Sequence, residues 1–174
     1  MAGPRRLSFD PIAEAERQWR AHGWPDQAAG MALVTSIMRL QQIFLGRADA
    51  VLRPLGLTFA RYEVLMLLSF SRGGTLPLGK IGERLQVNPA SVTNAVDRLE
   101  ADGLVARRSN PDDGRGTLAC LTPSGRQRAL EATDVMNEDV FTDIGVASAA
   151  AARLFGQLAE LRRAAGDFED DAGR

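Results

Sequence analysis

Polar side chains recur along one side of the segment that follows Asn88. Ser91, Asn94 and Arg98 are spaced by three and four residues, so in an α-helix they lie on one face, with Thr93 beside them. A second stripe at the same spacing is apolar and can seat the helix on a core. This stripe consists of Val92, Val96 and Leu99.

The polar face carries groups that suit the major groove of DNA. An asparagine amide can form two hydrogen bonds with adenine, and hydroxyl groups can reach bases or phosphates. Small residues at the helix start let the backbone approach the duplex, whereas Arg98, one turn further on, is better placed for a phosphate. An ordinary solvent-facing helix is the alternative, and the flanking elements favour DNA. The predicted contact residues are Asn88, Pro89, Ala90, Ser91, Thr93, Asn94 and Arg98.

Arg115 is a second candidate contact, on a different element. It lies between Gly114 and Gly116, so its backbone can approach another surface closely. An arginine at a loop tip fits the narrow minor groove, where the potential is most negative. Asp113 could orient it through an ion pair, and an exposed turn arginine without a partner is the alternative. Arg115 and Gly116 are therefore predicted DNA contacts.

The elements around these residues must hold them in a fixed arrangement. A short helical pattern over 78–85 stops before Asn88, which followed by Pro89 forms a cap-plus-proline start for a second helix. That helix ends at a glycine. Two short strands, at 104–108 and 117–122, then flank a loop rich in turn formers. This order predicts a winged helix-turn-helix in a mainly α fold with a small β wing.

The stretch from Asn88 to Thr122 resembles the recognition helix and wing of MarR-type bacterial transcription regulators. The resemblance is specific over 77–125 and extends in architecture over about 31–165. It implies a homodimer that binds double-stranded DNA sequence-specifically, most simply as a repressor. A two-fold dimer presents its recognition helices about 10 base pairs apart, so the operator is expected to be a pseudo-palindrome.

The wing departs from the family pattern at one position. The family's Asp-x-Arg pattern is matched by Asp113 and Arg115. Many members have two adjacent arginines at the tip, and Gly114 stands at the first of those places. The departure implies a weaker or narrower minor-groove contact.

The helices that flank this region are the predicted dimer contacts. The pattern over 31–55 is apolar on two sides, and apolar stripes over 130–165 have no partner within one chain. The resemblance implies that these helices intertwine with those of a second copy. The sequence predicts four parts. They are an N-terminal extension with the first dimerisation helix (1–57), a DNA-binding lobe (58–125), C-terminal dimerisation helices (126–166) and an acidic tail (167–174).

The net charge of −1 conceals an uneven distribution. Residues 1–76 have nine basic and six acidic side chains (+3), residues 77–128 have eight and six (+2), and residues 129–174 have four and ten (−6). The near-neutral total predicts modest non-specific DNA binding, so specificity must come from placed contacts. No run approaches about 18 consecutive apolar residues, so we expect a cytoplasmic protein without membrane contact.

Residue types that support catalysis or metal binding are scarce. The chain has one histidine, His22, and one cysteine, Cys120, and neither falls in a catalytic pattern or at a metal-ligand spacing. We therefore expect no enzyme activity, no metal and no cofactor. A winged helix that binds protein or RNA, without specific duplex DNA binding, is the alternative function.

The resemblance also raises the hypothesis of an effector site. Family members often bind small aromatic acids between the dimerisation helices and the winged-helix lobe. An arginine and aromatic side chains would suit such an anionic ligand, and packing in the core or at an interface is the alternative role of the same residues. The candidates are Trp19, Arg39, Arg61 and Tyr62.

Overall fold

Side chains placed before prolines begin several of the helices, and the start at Asn88 and Pro89 agrees with the sequence prediction. The computed structural model describes residues 7–111 and 113–169, with the backbone alone at 113–115. Asp10, Asn88 and Thr122 each accept a hydrogen bond from a backbone N–H in the first turn of the helix that follows. The α-helices are α1 (Pro11–Ala21), α2 (Pro25–Leu52), α3 (Phe59–Phe70), α4 (Leu78–Leu85), α5 (Pro89–Ala101), α6 (Pro123–Met136) and α7 (Ser148–Ala164).

Three strands form one antiparallel sheet with the order β1-β3-β2. The hairpin of β2 (Val105–Asn110) and β3 (Asp113–Leu121) is the predicted wing, with strands longer than predicted. Strand β1 (Thr75–Pro77) is absent from the sequence predictions, and it pairs with β3 from Thr75–Cys120 to Pro77–Leu118. Because β1 directly precedes α4, this pairing ties the wing to the helix-turn-helix.

The core of the winged-helix lobe is formed by α3, α4, α5, α6 and the C-terminal end of α2. Its largest fully buried side chains are Leu52, Leu65, Leu68, Ile81, Leu99 and Met136. Helix α6 begins so close to β2 that a Cβ on Gly125 would overlap the backbone carbonyl of Leu104. Glycine is therefore required at that contact for steric reasons.

Helix α2 starts earlier than the sequence predicts. The segment from His22 to Pro25 is a tight turn, and α2 begins at Pro25 rather than near residue 31. The turn needs Gly23 in the left-handed region, with φ of 95°. Trp24 packs against Trp19 of α1, with ring centroids 5.4 Å apart.

Polar contacts fix the C-terminal end of α2 to the lobe. The Asp49 carboxylate accepts a 2.7 Å hydrogen bond from the backbone N–H of Phe59, the first residue of α3. Arg47 donates to the carbonyls of Asp139 (2.7 Å) and Asp143 (3.1 Å) beyond α6. Arg128 of α6 donates to the Leu55 carbonyl just after α2. This end of α2 therefore moves with the lobe.

The rest of α2 and all of α7 expose apolar side chains. Helix α7 has no buried residue, and its Phe155 is 68% exposed. The other large exposed residues on the two helices are Leu33, Val34, Ile37, Met38, Leu40, Ile43, Leu45, Leu154, Leu158 and Leu161. By length and composition alone, one described helical run, Pro25–Leu55, is apolar enough to cross a membrane, with a mean hydropathy of 1.3.

A π-helical segment, Asn137–Phe141, connects α6 to the turn before α7. Such segments interrupt the regular α-helical hydrogen bonding and often lie at functional sites. Val140 of this segment points into the core, whereas Phe141 is half-exposed. Gly145, with φ of 87°, then turns the chain toward α7.

Candidate nucleic-acid interface

The turn between α4 and α5 sets the angle at which the second helix is presented. Gln86 adopts the left-handed conformation, with φ of 55°. A Cβ on Gly82 would lie 3.1 Å from the Val87 carbonyl oxygen and 3.3 Å from Cγ2 of Val92. The two helices therefore pack closely only because position 82 lacks a side chain.

Helix α5 presents the two faces that the sequence predicts. Val92, Val96 and Leu99 are buried in the core. The opposite face is exposed along the whole helix, and it includes Asn88, Pro89, Ala90, Ser91, Thr93, Asn94 and Arg98. The predicted polar face is thus available to a partner molecule.

Two of these residues already make hydrogen bonds within α5. The Asn88 side-chain oxygen accepts from the Ser91 N–H at 2.8 Å, and the Thr93 hydroxyl donates to the Pro89 carbonyl at 3.0 Å. Within residues 7–111 and 113–169, the side chains of Asn94 and Arg98 make no hydrogen bond or ion pair. The polar atoms of Asn94 and Arg98 therefore remain available to a ligand, as does the exposed hydroxyl of Ser91.

An open cleft of about 770 Å³ runs between this face and the start of α3. We call it the recognition cleft; its lining residues are Thr58, Ala60, Arg61, Asn88, Ala90, Ser91, Asn94, Ala95 and Arg98. Arg61 comes from α3 and also pairs with Asp102 at the end of α5, with 3.4 Å between Nη1 and Oδ2. Two guanidinium groups on one open cleft make it a suitable seat for anionic oxygens.

Arg107 of β2 connects the wing to α5. Its Nη1 lies 2.6 Å from Oδ1 of Asp97 and 2.7 Å from Oε2 of Glu100, and its backbone N–H also donates to Glu100. Burial lowers the pKa of Arg107, but hydrogen bonds and charges from the two carboxylates outweigh it and leave the pKa raised. This contact of Arg107 with two carboxylates, which we call the clamp, neutralises two acidic residues on the helix that carries the polar face. The clamp was not predicted from the sequence, although Arg107 and Glu100 are only seven residues apart.

The wing places Gly116 in β3, near the hairpin tip. The backbone of Arg115 belongs to the same strand, and the conformation of its side chain lies outside the described residues. The side chain of Asp113 also lies outside the described residues, so the ion pair between Asp113 and Arg115 stays a prediction. Arg108 of β2 is exposed on the wing.

Comparisons with known proteins identify this arrangement. A model of the MarR family matches residues 55–116. The HTH-type transcriptional repressor Rv2887 of Mycobacterium tuberculosis is 32% identical over 100 residues, which cover 58% of this chain and 70% of that protein. Sco5413, a MarR family transcriptional regulator of Streptomyces coelicolor, is 52% identical, with a TM-score of 0.75 over 82% of this chain and 99% of that one.

The chain belongs to the MarR family. This is a family of transcriptional regulators and not of enzymes. A further MarR family structure, Sco3205 of Streptomyces coelicolor in complex with DNA, shares the fold at 24% identity, with a TM-score of 0.66 over 98% of this chain. The winged-helix fold predicted from the sequence is confirmed.

The four predicted effector residues are not gathered at one place in the MarR protomer. Trp19 contacts Trp24 at the N-terminal end of α2, and Arg39, further along α2, donates to Gln42 at 3.3 Å. Arg61 lines the recognition cleft. Tyr62 is buried, and its hydroxyl is 3.2 Å from that of Thr133. The sequence alone could not show this, because these positions come from three different helices.

A second cavity, of about 590 Å³, lies between α2, the start of α3 and the π-helical segment. We call it the inner pocket; its lining residues are Gln41, Phe44, Leu45, Ala48, Phe59, Ala60, Glu63, Met136, Val140, Phe141 and Ile144. Burial raises the pKa of the Glu63 carboxyl. Sequence reasoning missed this pocket, because it assembles only when α6 folds back on α2.

Cys120 and His22 lie on different elements and in different environments. Cys120 is buried in β3, and His22 is exposed in the turn after α1, where its ring nitrogen contacts the Gln18 carbonyl at 2.8 Å. Among residues 7–111 and 113–169, no group of three or more histidine, cysteine or acidic residues is placed to hold a metal ion.

Proposed function

We propose that this protein is a homodimeric, sequence-specific DNA-binding regulator that acts as a repressor on a pseudo-palindromic operator. The observation that carries the proposal is the exposed polar face of α5, bordered by a cleft with two arginines. Asn94 and Arg98 project from this face with their polar atoms available. A major groove about 12 Å wide admits one α-helix, so α5 is the element that enters it.

The contacts divide into those that read bases and those that hold phosphates. Ser91 and Asn94 lie near the N-terminus of α5, which approaches base edges in helix-turn-helix complexes. Arg61 and Arg98 stand on either side of the recognition cleft, where a phosphate could bridge them. Arg115 of the wing is proposed to enter the minor groove. Asn88 chiefly caps α5, so its effect on DNA is expected to be indirect.

Dimerisation is supported by apolar surface that one protomer leaves exposed. On α2 this surface includes Met38, 62% exposed, and on α7 it includes Phe155, 68% exposed. Contiguous apolar patches of this kind mark interaction surfaces. A second copy that covers this surface would also account for the apolar composition of α2. Arg39 and Arg47 interrupt the apolar run, which favours this explanation over a membrane span.

The test is DNA binding to the region upstream of the protein's own gene, measured by fluorescence anisotropy in moderate salt. Asn94→Ala should cost about 1–3 kcal/mol on the operator and alter base preference, as expected for a base contact. Arg98→Ala should weaken binding to all duplexes and reduce the salt dependence by about one ion. Arg17→Ala on α1 removes the same charge away from the cleft and should leave binding unchanged.

The outcome that contradicts the proposal is equally definite. If the dimer binds no duplex more tightly than random DNA, the protein is not a sequence-specific repressor. Specific capture of RNA or a protein by the same α5 face would then support the interaction-module alternative. If Asn94→Ala and Arg98→Ala both leave binding intact, the DNA-reading face is not on α5.

A further inference from the structure

We propose that Thr93 reads DNA through its methyl group, and that an apolar notch between α4 and α5 receives the 5-methyl group of a thymine in the major groove. This inference rests on the proposed function and deepens it, because it names one base that the α5 face selects. It differs from the hydroxyl contact that the residue type alone suggests.

The hydroxyl group of Thr93 is already engaged within α5. It donates a 3.0 Å hydrogen bond to the Pro89 carbonyl, four residues earlier in the chain. A threonine hydroxyl has one O–H donor, so this bond leaves no donor for a base. The methyl group is the other substituent of Cβ, and Thr93 is exposed on the polar face of α5. The group that Thr93 offers to a partner molecule is therefore its methyl group.

The backbone at Thr93 is held from the wing. Nη2 of Arg107 donates to the Thr93 carbonyl at 3.4 Å. Nη1 of the same guanidinium pairs with Asp97 and Glu100 in the clamp. The side chain of Thr93 is thus fixed by Pro89 and its main chain by Arg107. A group that is fixed before binding loses little conformational entropy, so even a small apolar contact can contribute to affinity.

An open notch of about 350 Å³ lies beside Thr93, between α4 and α5. We call it the α4–α5 notch. It is lined by apolar side chains and by two glycines that present only backbone, and it includes Gly79, Gly82, Val87, Pro89, Val92 and Thr93. Val87, in the turn between the two helices, is 41% exposed. The notch therefore continues the α5 face with apolar surface on the side away from the recognition cleft.

The two longer polar side chains that line the α4–α5 notch are bonded to their neighbours. The Glu83 carboxylate pairs with Lys80 at 2.8 Å, and the Gln86 amide donates to the Glu83 carbonyl at 2.9 Å. These polar groups are thus occupied along α4. A phosphate would find no free cation among the residues that line the notch, whereas a methyl group would meet carbon atoms.

The chemistry of the major groove identifies the partner of this surface. The 5-methyl group of thymine is the apolar group that base pairs present there, and threonine methyl groups are among the side-chain groups that contact it. Ser91 and Asn94 offer hydrogen-bonding groups on the neighbouring part of the α5 face. The two parts of the face therefore select different features of one duplex.

Replacement of thymine by uracil removes only the 5-methyl group, so it tests this contact directly. Each thymine of the shortest upstream duplex that the dimer binds is replaced in turn, and affinity is measured by fluorescence anisotropy. The duplexes are synthetic and contain no methylcytosine, so thymine is the sole source of the methyl group. At one position of each half-site, uracil should weaken wild-type binding about fourfold, the factor expected for burial of one methyl-sized group.

Substitutions at Thr93 separate the methyl group from the hydroxyl group. Thr93→Ser keeps the hydroxyl and removes the methyl, so it should bind thymine and uracil equally at that position. Thr93→Val keeps a methyl and removes the hydroxyl, so it should retain the fourfold preference. Thr142→Ser removes a methyl group from an exposed residue outside α4 and α5, and it should retain the preference as well.

Two outcomes would overturn the inference alone. One is operator binding that no thymine-to-uracil replacement weakens in the wild-type protein. The other is a preference for thymine that persists in Thr93→Ser, and its loss in Thr93→Val would then identify the hydroxyl as the reading group. Absence of binding to the all-thymine duplex contradicts the proposed function, and this inference with it.

Discussion

The winged-helix lobe and the helices that flank it differ in how they bury apolar side chains. In the lobe, apolar side chains of α3, α5 and α6 pack against one another, and polar contacts lie around this core. In α7 and the first half of α2, side chains of the same types are exposed. Leu65 and Leu99 are fully buried, whereas Leu154 is 48% exposed and Phe155 is 68% exposed. The lobe therefore satisfies its hydrophobic surface within one chain. The flanking helices leave theirs exposed in one protomer, so in the proposed dimer their arrangement depends on protein concentration.

The strongest way to break this comparison is to place charges on α7. The double substitution Phe155→Asp and Leu158→Asp should raise the dimer dissociation constant by about 1,000-fold, since a buried aromatic or aliphatic anchor is typically worth about 2 kcal/mol. Sedimentation velocity measures this change. Arg153→Asp alters the net charge by the same amount on another side of α7 and should leave the dimer intact. A dimer that survives the double substitution would show that α7 is not the interface.

The lobe can be disturbed selectively at Gly125. Gly125→Ala puts a Cβ into the Leu104 carbonyl, so the start of α6 must move, and unfolding free energy should fall by about 3 kcal/mol. Urea denaturation measures it. At Gly79 in α4 an added Cβ meets open space within the protomer, so Gly79→Ala should be neutral or stabilising. Similar losses at both positions would mean that close packing at Gly125 is not the cause.

Much of the lobe and of the polar face of α5 could be predicted, because the signals are local. The spacing of Ser91, Asn94 and Arg98 places them on one face whatever the rest of the chain does. A capping residue followed by proline marks the start of α5 and α6. Both features need only a few consecutive residues, and the structure agrees with them.

The features that sequence reasoning missed depend on contacts between distant segments. Strand β1 is three residues long and acquires its conformation from β3, about 40 residues later. Arg61 joins the recognition cleft because α3 packs beside α5. The inner pocket requires α2, α3 and the π-helical segment together. Periodicity cannot predict such contacts, because it shows which residues share one face of an element and not which other element packs against that face.

Arg107 offers a finer test of how the lobe holds its polar face. Arg107→Ala should lower operator affinity about tenfold, because Asp97 and Glu100 lose their cation beside the DNA and the wing loses its tie to α5. Anisotropy titrations measure it. Adding Asp97→Asn should restore part of the affinity by removing one uncompensated negative charge. If the double variant binds no better than Arg107→Ala, charge neutralisation is not the role of the clamp.

The smallest expected effect concerns Glu63 and pH. Its folded-state pKa is raised above the ordinary 4.5, so the carboxylate form disfavours the folded state. Below pH 4.5 wild type and Glu63→Gln should have the same Tm. As pH rises through the folded-state pKa, the Tm of wild type should become about 1–2 °C lower than the Tm of Glu63→Gln. A difference that is constant from pH 4 to 8 would contradict titration of Glu63 as its cause.

The length of helix α2 magnifies any change in its orientation. Its 28 residues span about 42 Å, with the far end fixed to the lobe through Arg47, Asp49 and the Leu55 carbonyl. A tilt of about 5° at the dimer axis would displace the lobe by about 4 Å, roughly the 3.4 Å rise between successive base pairs. In the proposed dimer, a change in packing between two copies, too small to disturb either fold, would therefore shift the two α5 helices away from the spacing of the expected half-sites.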